Sequence, residues 1–292
     1  VTRLARAVPV VRDAEGLRAW VAACRKRGER IAFVPTMGAL HAGHLRLVTE
    51  AREHAARVVV SIFVNPTQFA AHEDLSTYPR TEGADLALLA GVRADLAFCP
   101  GPEVIYPPGS AVRVRVEGVT ADLETTFRPQ FFEGVATVVA KLFNLVTPDV
   151  ALFGEKDFQQ LQTIRAMTAG LLLPIDIVGV QTERDPDGLA LSSRNAYLGA
   201  TERQAASTLP RALRLAVAAL EAGAEVAPTL ADVAAEVSAA GFQKIDYIEV
   251  RRAADLSPLP GQNVPVGEPC RLLFAAWLGR TRLIDNMAVE RP

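Results

Sequence analysis

IAFVPTMGALHAGH, residues 31–44, passes from a strand pattern to a helical one across two glycines. Residues 31–34 are an apolar run ended by Pro35, and Leu45, Val48, Ala51 and Ala55 then recur at helical spacing over residues 44–56. The next run, VVVSIFV at residues 58–64, is β-branched and apolar on both faces, as a buried parallel strand requires. Further along, residues 81–92 read as a helix and 94–99 as a strand stopped by Pro100. Residues 134–146 form an apolar helix pattern, 150–153 a strand, 156–172 a helix and 175–180 a strand. This alternation predicts an α/β fold with a parallel, doubly wound sheet.

The character changes after residue 182. ERDPDG, residues 183–188, reads as a linker or hinge. Two Ala-rich helical segments follow at 201–222 and 228–241, then three strand patterns at 244–250, 270–277 and 281–284. The expected division is a larger domain over 1–182 and a smaller α+β domain over 183–292.

With 292 residues, 50% hydrophobic and 22% charged, the chain has the balance of a globular protein and can bury its cores without disulfides. A net charge of −2 without a Lys/Arg run argues against nucleic-acid or anionic-membrane partners. Small phosphorylated ligands need only a local positive pocket. Cys24, Cys99 and Cys270 are odd in number, far apart and at no metal-ligand spacing. Ordinary thiols in a reducing cytoplasm are expected. The apolar runs are too short to span a bilayer, and no secretory apolar stretch opens the chain.

P-loop, GxGxxG, GxSxG and HExxH motifs are all absent, so a nucleotide enzyme on this sheet would have to hold phosphates another way. Four stretches qualify. In PTMGALHAGH, residues 35–44, a glycine loop opens a helix whose free N–H groups favour an anion. His41 and His44 there can donate to phosphate oxygens, act as a capping pair, or form half of a metal site. In FGEKDFQQ, residues 153–160, Lys156 offers a cation, Asp157 an acceptor for ribose hydroxyls, and Gln160 lies one turn on; a capped helix start would read the same. GLALSSRN, residues 188–195, sets two hydroxyls beside a guanidinium, either for a polyphosphate or as an ordinary loop. VNPTQF, residues 64–69, ends a strand with Asn65 and Gln68, suited to a hydroxylated small molecule or to simple turn chemistry.

Together these stretches resemble the pantothenate synthetase (pantoate–β-alanine ligase) family of the HxGH nucleotidyltransferases. The resemblance runs through residues 35–44, 61–80, 134–161 and 187–198 and is weakest after about residue 205. It implies a homodimer with a Rossmann-like N-terminal domain, a smaller α+β lid domain, and ATP between them. The implied reaction joins pantoate to β-alanine through pantoyl adenylate, releasing pyrophosphate and AMP. By resemblance, His41 and His44 contact the ATP phosphates, with His44 as the proton donor. Met37, Gly38, Gly154, Lys156, Asp157, Val180 and Leu191 hold nucleotide, and Ser192, Ser193 and Arg194 match a mobile phosphate-covering segment. Gln68 and Gln160 bind pantoate, Asn65 lies near the phosphates, and Mg2+ arrives with ATP rather than in a protein cage.

Two positions depart from the family pattern: Phe131 stands where His is usual, and Thr125 where Gly is usual. They predict an altered pocket wall and a stiffer loop. Two rival readings follow. A related nucleotidyltransferase acting on a phosphorylated alcohol would ignore β-alanine, and a non-catalytic paralogue would bind ATP without releasing pyrophosphate.

Overall fold

A computed structural model of the protein describes residues 7–70 and 75–292; residues 1–6, and residues 71–74 within the 61–80 motif stretch, lie outside it. Six strands, β1 (Val10–Val11), β2 (Ile31–Thr36), β3 (Arg57–Ile62), β4 (Leu96–Phe98), β5 (Val150–Gly154) and β6 (Asp176–Val180), form one sheet. Their order is β1-β4-β3-β2-β5-β6, and every pairing is parallel. The expected doubly wound α/β sheet is therefore present.

Both faces of this sheet are covered, which is why its strands read as continuous apolar runs. Alternation sends Ile31, Phe33, Val59, Phe98, Ala151 and Phe153 to one side. There they meet the helices Ala14–Lys26, Phe131–Val146 and Phe158–Gly170. Ala32, Val34, Val58, Val60, Val150 and Leu152 face the other side, against the helices Ala42–His54 and Glu82–Gly91.

The second unit is an antiparallel sheet of β7 (Lys244–Arg252), β8 (Cys270–Leu278) and β9 (Thr281–Val289), in that order. Leu272, Phe274, Ala276 and Leu278 bury one face against the helices Thr208–Glu221 and Val226–Ala239. The other face is turned toward the parallel sheet, with Leu273 joining that sheet's core. A register shift between Ile245 and Tyr247 inserts Asp246 into the turned-in edge.

Several boundaries differ from expectation for identifiable reasons. Residues 201–222 are two helices, Ala200–Ala206 and Thr208–Glu221, not one. Pro210 lacks an N–H and its ring would strike the residue 206 carbonyl of a continuous helix, so the chain restarts at Thr208. The helix expected from residue 156 begins at Phe158, after a single 3-10 turn, Glu155–Asp157. β9 continues five residues past 284 because its later residues keep their pairing with β8 through Val289. Residues 183–188, expected as a linker or hinge, form a tight turn whose Asp185 and Asp187 pair with Arg203 at 2.9 Å and 2.5 Å.

Candidate active site

β2 and β5 are hydrogen-bonded neighbours. From β2 the chain proceeds to β3 on one side, and from β5 to β6 on the other. Such a switch point leaves a crevice at the carboxyl ends of the strands. The loop after β2 carries His41 and His44, and the turn after β5 carries Lys156. Sheet topology alone therefore makes neighbours of motifs more than a hundred residues apart.

The loop is held in a strained shape, with Gly38 at φ 83° and Ala39 at φ 51°. Asp85, which is buried, stabilises it by accepting from the N–H groups of Ala39 at 3.0 Å and Leu40 at 2.8 Å. The helix that follows opens with a reciprocal cap. His41 Nδ1 accepts from the Gly43 N–H at 3.2 Å, and His44 Nδ1 accepts from the His41 N–H at 3.3 Å. Both imidazoles thus carry their proton on Nε2, the atom left for a ligand. Burial, helped by His41 and Lys156, pushes the His44 pKa down to about 3. Burial and Lys156 lower His41 as well. The site therefore presents both rings through Nε2–H, as neutral donors.

On the far side of the crevice, Asn65 is buried and its amide is fully used. Its Nδ2 donates to Gln68 Oε1 at 3.0 Å and to the Gly134 carbonyl at 3.1 Å. Its Oδ1 accepts from the hydroxyls of Tyr106 at 2.8 Å and Thr67 at 2.9 Å. Asn65 therefore orients Gln68, whose Nε2 lies 2.9 Å from Met37 Sδ. Gly134 permits this packing: a Cβ there would come within 2.6 Å of the Thr67 carbonyl oxygen.

A cavity of about 1080 Å3 joins these groups, a volume with room for more than one drug-sized ligand. Of the residues expected at the site, Met37, His41, His44, Asn65, Gln68, Gly154, Lys156, Asp157, Gln160, Leu191, Ser192, Ser193 and Arg194 all line it. Gly38 and Val180 do not; Gly38 lies on a smaller neighbouring hollow, and Val180 is buried in the core. The Ser193 hydroxyl is 3.4 Å from Tyr78 Oη, and the Arg194 guanidinium sits 5.9 Å from the Tyr78 ring centre.

Sequence reading missed the opposite wall. Strand alternation on the antiparallel sheet turns Tyr247, Trp277, Arg282 and Asn286 into the cavity. Arg282 pairs with Glu124 at 2.8 Å and Asp246 at 2.7 Å, and Glu124 also pairs with Arg128 at 3.1 Å. This buried ionic network ties the antiparallel sheet to the short helix Glu124–Phe127. The alternating pattern in TRLIDN, residues 281–286, was its visible signal. Phe131 also lines the cavity, with the Arg128 guanidinium 3.8 Å above its ring centre. Thr125 lies in a single helical turn, and the left-handed residue is its neighbour Leu123 at φ 57°.

The profile of the family described as Pantoate-beta-alanine ligase matches residues 9–288. A pantothenate synthetase of Caulobacter vibrioides is 54% identical over 282 residues, covering 96% of this chain and 98% of that one. Solved structures agree. Pantothenate synthetase from Thermus thermophilus is 44% identical with a TM-score of 0.90, covering 97% of this chain and 100% of its own. The pantoate-beta-alanine ligase from Francisella tularensis, complexed with Beta-gamma ATP and beta-alanine, is 32% identical with a TM-score of 0.81 over 96% and 97% of the two chains. Family profile, relatives and fold coincide over nearly the whole length, and the chain belongs to the pantoate–β-alanine ligase family.

Proposed function

We propose that this chain condenses pantoate with β-alanine in two steps within the cleft between its sheets. A pantoate carboxylate oxygen attacks the α-phosphorus of ATP, and pyrophosphate leaves. The β-alanine amine then attacks the acyl carbon of pantoyl adenylate, and AMP leaves. The observation that carries this reading is the convergence of His41, His44, Lys156, Gln68, Gln160 and residues 192–194 on one cavity.

In this reading the Nε2–H donors of His41 and His44 and the ammonium of Lys156 neutralise charge on the transferring phosphate. Gly154, Asp157 and Leu191 hold the nucleoside, while Ser192, Ser193 and Arg194 close over the polyphosphate. Gln68, oriented by Asn65, and Gln160 fix pantoate for in-line attack. Mg2+ would enter with ATP. Its oxygen ligands would come mainly from phosphate and water.

Residues 1–182 act as the Rossmann-like substrate-binding domain and 183–292 as the lid, and the chain works as a homodimer in the cytoplasm. Three buried free cysteines suit that compartment, and among the described residues no helix is long and apolar enough to cross a membrane.

The test is AMP release from ATP with pantoate, with and without β-alanine. AMP requiring both substrates is expected. One equivalent of pyrophosphate released with pantoate alone is the first half-reaction; AMP turnover that ignores β-alanine, or ATP bound with no release of pyrophosphate, would refute the ligase reading.

A further inference from the structure

Two adjacent residues of β9 brace the nucleotide-side motifs from behind. Successive strand residues point to opposite faces, so Asp285 and Asn286 reach in opposite directions. Asn286, 3% exposed, donates from Nδ2 to the carbonyls of Glu155 at 2.9 Å and Lys156 at 2.8 Å. Its Oδ1 accepts from Arg271 Nε at 2.6 Å, which fixes the amide's orientation. Arg271 also pairs with the Glu155 carboxylate at 3.0 Å and lies 4.2 Å from the Phe158 ring centre. The whole turn that presents Lys156 is thereby clamped by the antiparallel sheet.

Asp285, 2% exposed, accepts from both terminal nitrogens of Arg184 at 2.8 Å. It also accepts from the Asn286 backbone N–H at 2.7 Å. Arg184 in turn donates to the Gly188 carbonyl at 3.0 Å, and the Leu191 N–H donates to the Glu183 carbonyl at 2.9 Å. These bonds close the base of the loop that delivers residues 192–194. The catalytic reading gives Asp285 and Asn286 no task, yet each spends a buried polar side chain on one motif.

We infer that Asp285 and Asn286 are positioning residues: they act through Lys156 and through residues 192–194, fixing the two motifs relative to each other before ATP arrives. The inference rests on the role proposed above for Lys156. Its physical basis is that small displacements of a charge-stabilising group lose much of the rate.

The experiment is a double-mutant cycle on single-turnover pyrophosphate release, using Asn286→Ala, Lys156→Ala and the pair. Asn286→Ala is expected to slow release by about 10- to 100-fold with the pantoate KM within about twofold. In the Lys156→Ala background it should add no further loss, because the lysine it positions is gone. Asp285→Asn is expected to behave the same way against Arg194→Ala. Thermal melts accompany each variant. If Asn286→Ala does not fold, Asn286→Asp keeps the shape, replaces the donor with an acceptor, and enters the same cycle. Multiplicative losses, or a wild-type rate in Asn286→Ala, would overturn the inference while leaving the ligase reading intact. A wild-type rate in Lys156→Ala would overturn the role of Lys156 itself.

Discussion

The backbone N–H of His41 donates to Nδ1 of His44 at 3.3 Å, and the two rings lie 4.1 Å apart. Each imidazole is neutral in the folded protein because burial opposes its charge. In the unfolded chain both should titrate near the ordinary value of about 6.5. Folded pKa values below unfolded ones mean that stability is intact above about pH 6.5 and falls as pH drops from there toward 3. Unfolding free energy measured across that window should decline, and His44→Gln should flatten the decline. If both rings meet phosphate as neutral Nε2–H donors, ATP binding at about pH 8, where ATP is itself fully ionised, should take up no proton at the pair. Calorimetry in buffers of different ionisation enthalpy reads this directly, and net uptake would show that phosphate converts them to imidazolium.

Lys156 is the cation at the carboxyl end of β5, 3.8 Å from Asp157. Lys156→Ala should slow pantoyl-adenylate formation by about 10²-fold or more, with the loss mainly in kcat. Rapid-quench measurement of pyrophosphate is the check; a loss under about threefold would remove the lysine from the phosphate.

Gly134→Ala should damage two properties at once. The added methyl would meet the Thr67 carbonyl oxygen at 2.6 Å and the Gln68 nitrogen at 2.9 Å, both backbone atoms. Overpacking of this kind costs about 1–3 kcal/mol. Urea denaturation should show that loss, and the pantoate KM should rise as Gln68 shifts. An unchanged KM beside a destabilised fold would separate Gln68 from pantoate.

Arg282 has only 13% of its side chain exposed and faces Glu124, 7% exposed, and Asp246, 1% exposed. Removing one partner of a buried pair costs about 3–5 kcal/mol when the remaining charge is left alone. Here Glu124 keeps Arg128 and Asp246 keeps Lys244, so Arg282→Met should destabilise the protein by about 1–3 kcal/mol, as read from urea midpoints. A loss below about 0.5 kcal/mol would mean that Arg128 and Lys244 suffice to hold the two carboxylates.

Phe131→His tests the departure from the family pattern. Phe131 is buried beneath the Arg128 guanidinium, so an imidazole would keep an aromatic face there. The stack is worth about 0.5–2 kcal/mol, and a neutral His should retain part of it. Steady-state assays should show kcat preserved and the pantoate KM changed by no more than about threefold. A tenfold drop in kcat would show that the phenyl ring is integral to this pocket.

The parallel sheet was legible because both its faces are covered, so β3 and β5 read as uninterrupted apolar runs. The motif loops were legible because glycines and histidines sit where a strand yields to a helix. The helix Ala14–Lys26 escaped notice although Asp13 caps it and Leu17, Val21 and Cys24 mark its buried stripe; it follows a strand of two residues, too short to show a period. The ionic wall was not legible for a different reason. Asp246 and Arg282 are brought together by the antiparallel sheet, and only its packing against the distant helix Glu124–Phe127 adds Glu124 as a partner. The contacts of Asn65 with Tyr106 and Gly134 were not legible because those partners come from distant stretches of chain.

The adjacency of β2 and β5 works as a ruler. Neighbouring strands keep a spacing of about 4.8 Å, so the strands from which the histidine loop and the lysine turn emerge stay side by side unless the middle of the sheet tears. The chemistry is thereby fixed to the stiffest part of the molecule. The facing wall hangs on a three-stranded sheet with its own core, and it is Asn286 of that sheet, not Tyr247 or Trp277, that holds the lysine turn. Directed evolution toward other acids or amines should therefore accumulate its tolerated changes around Tyr247 and Trp277, and almost none around His44 and Lys156.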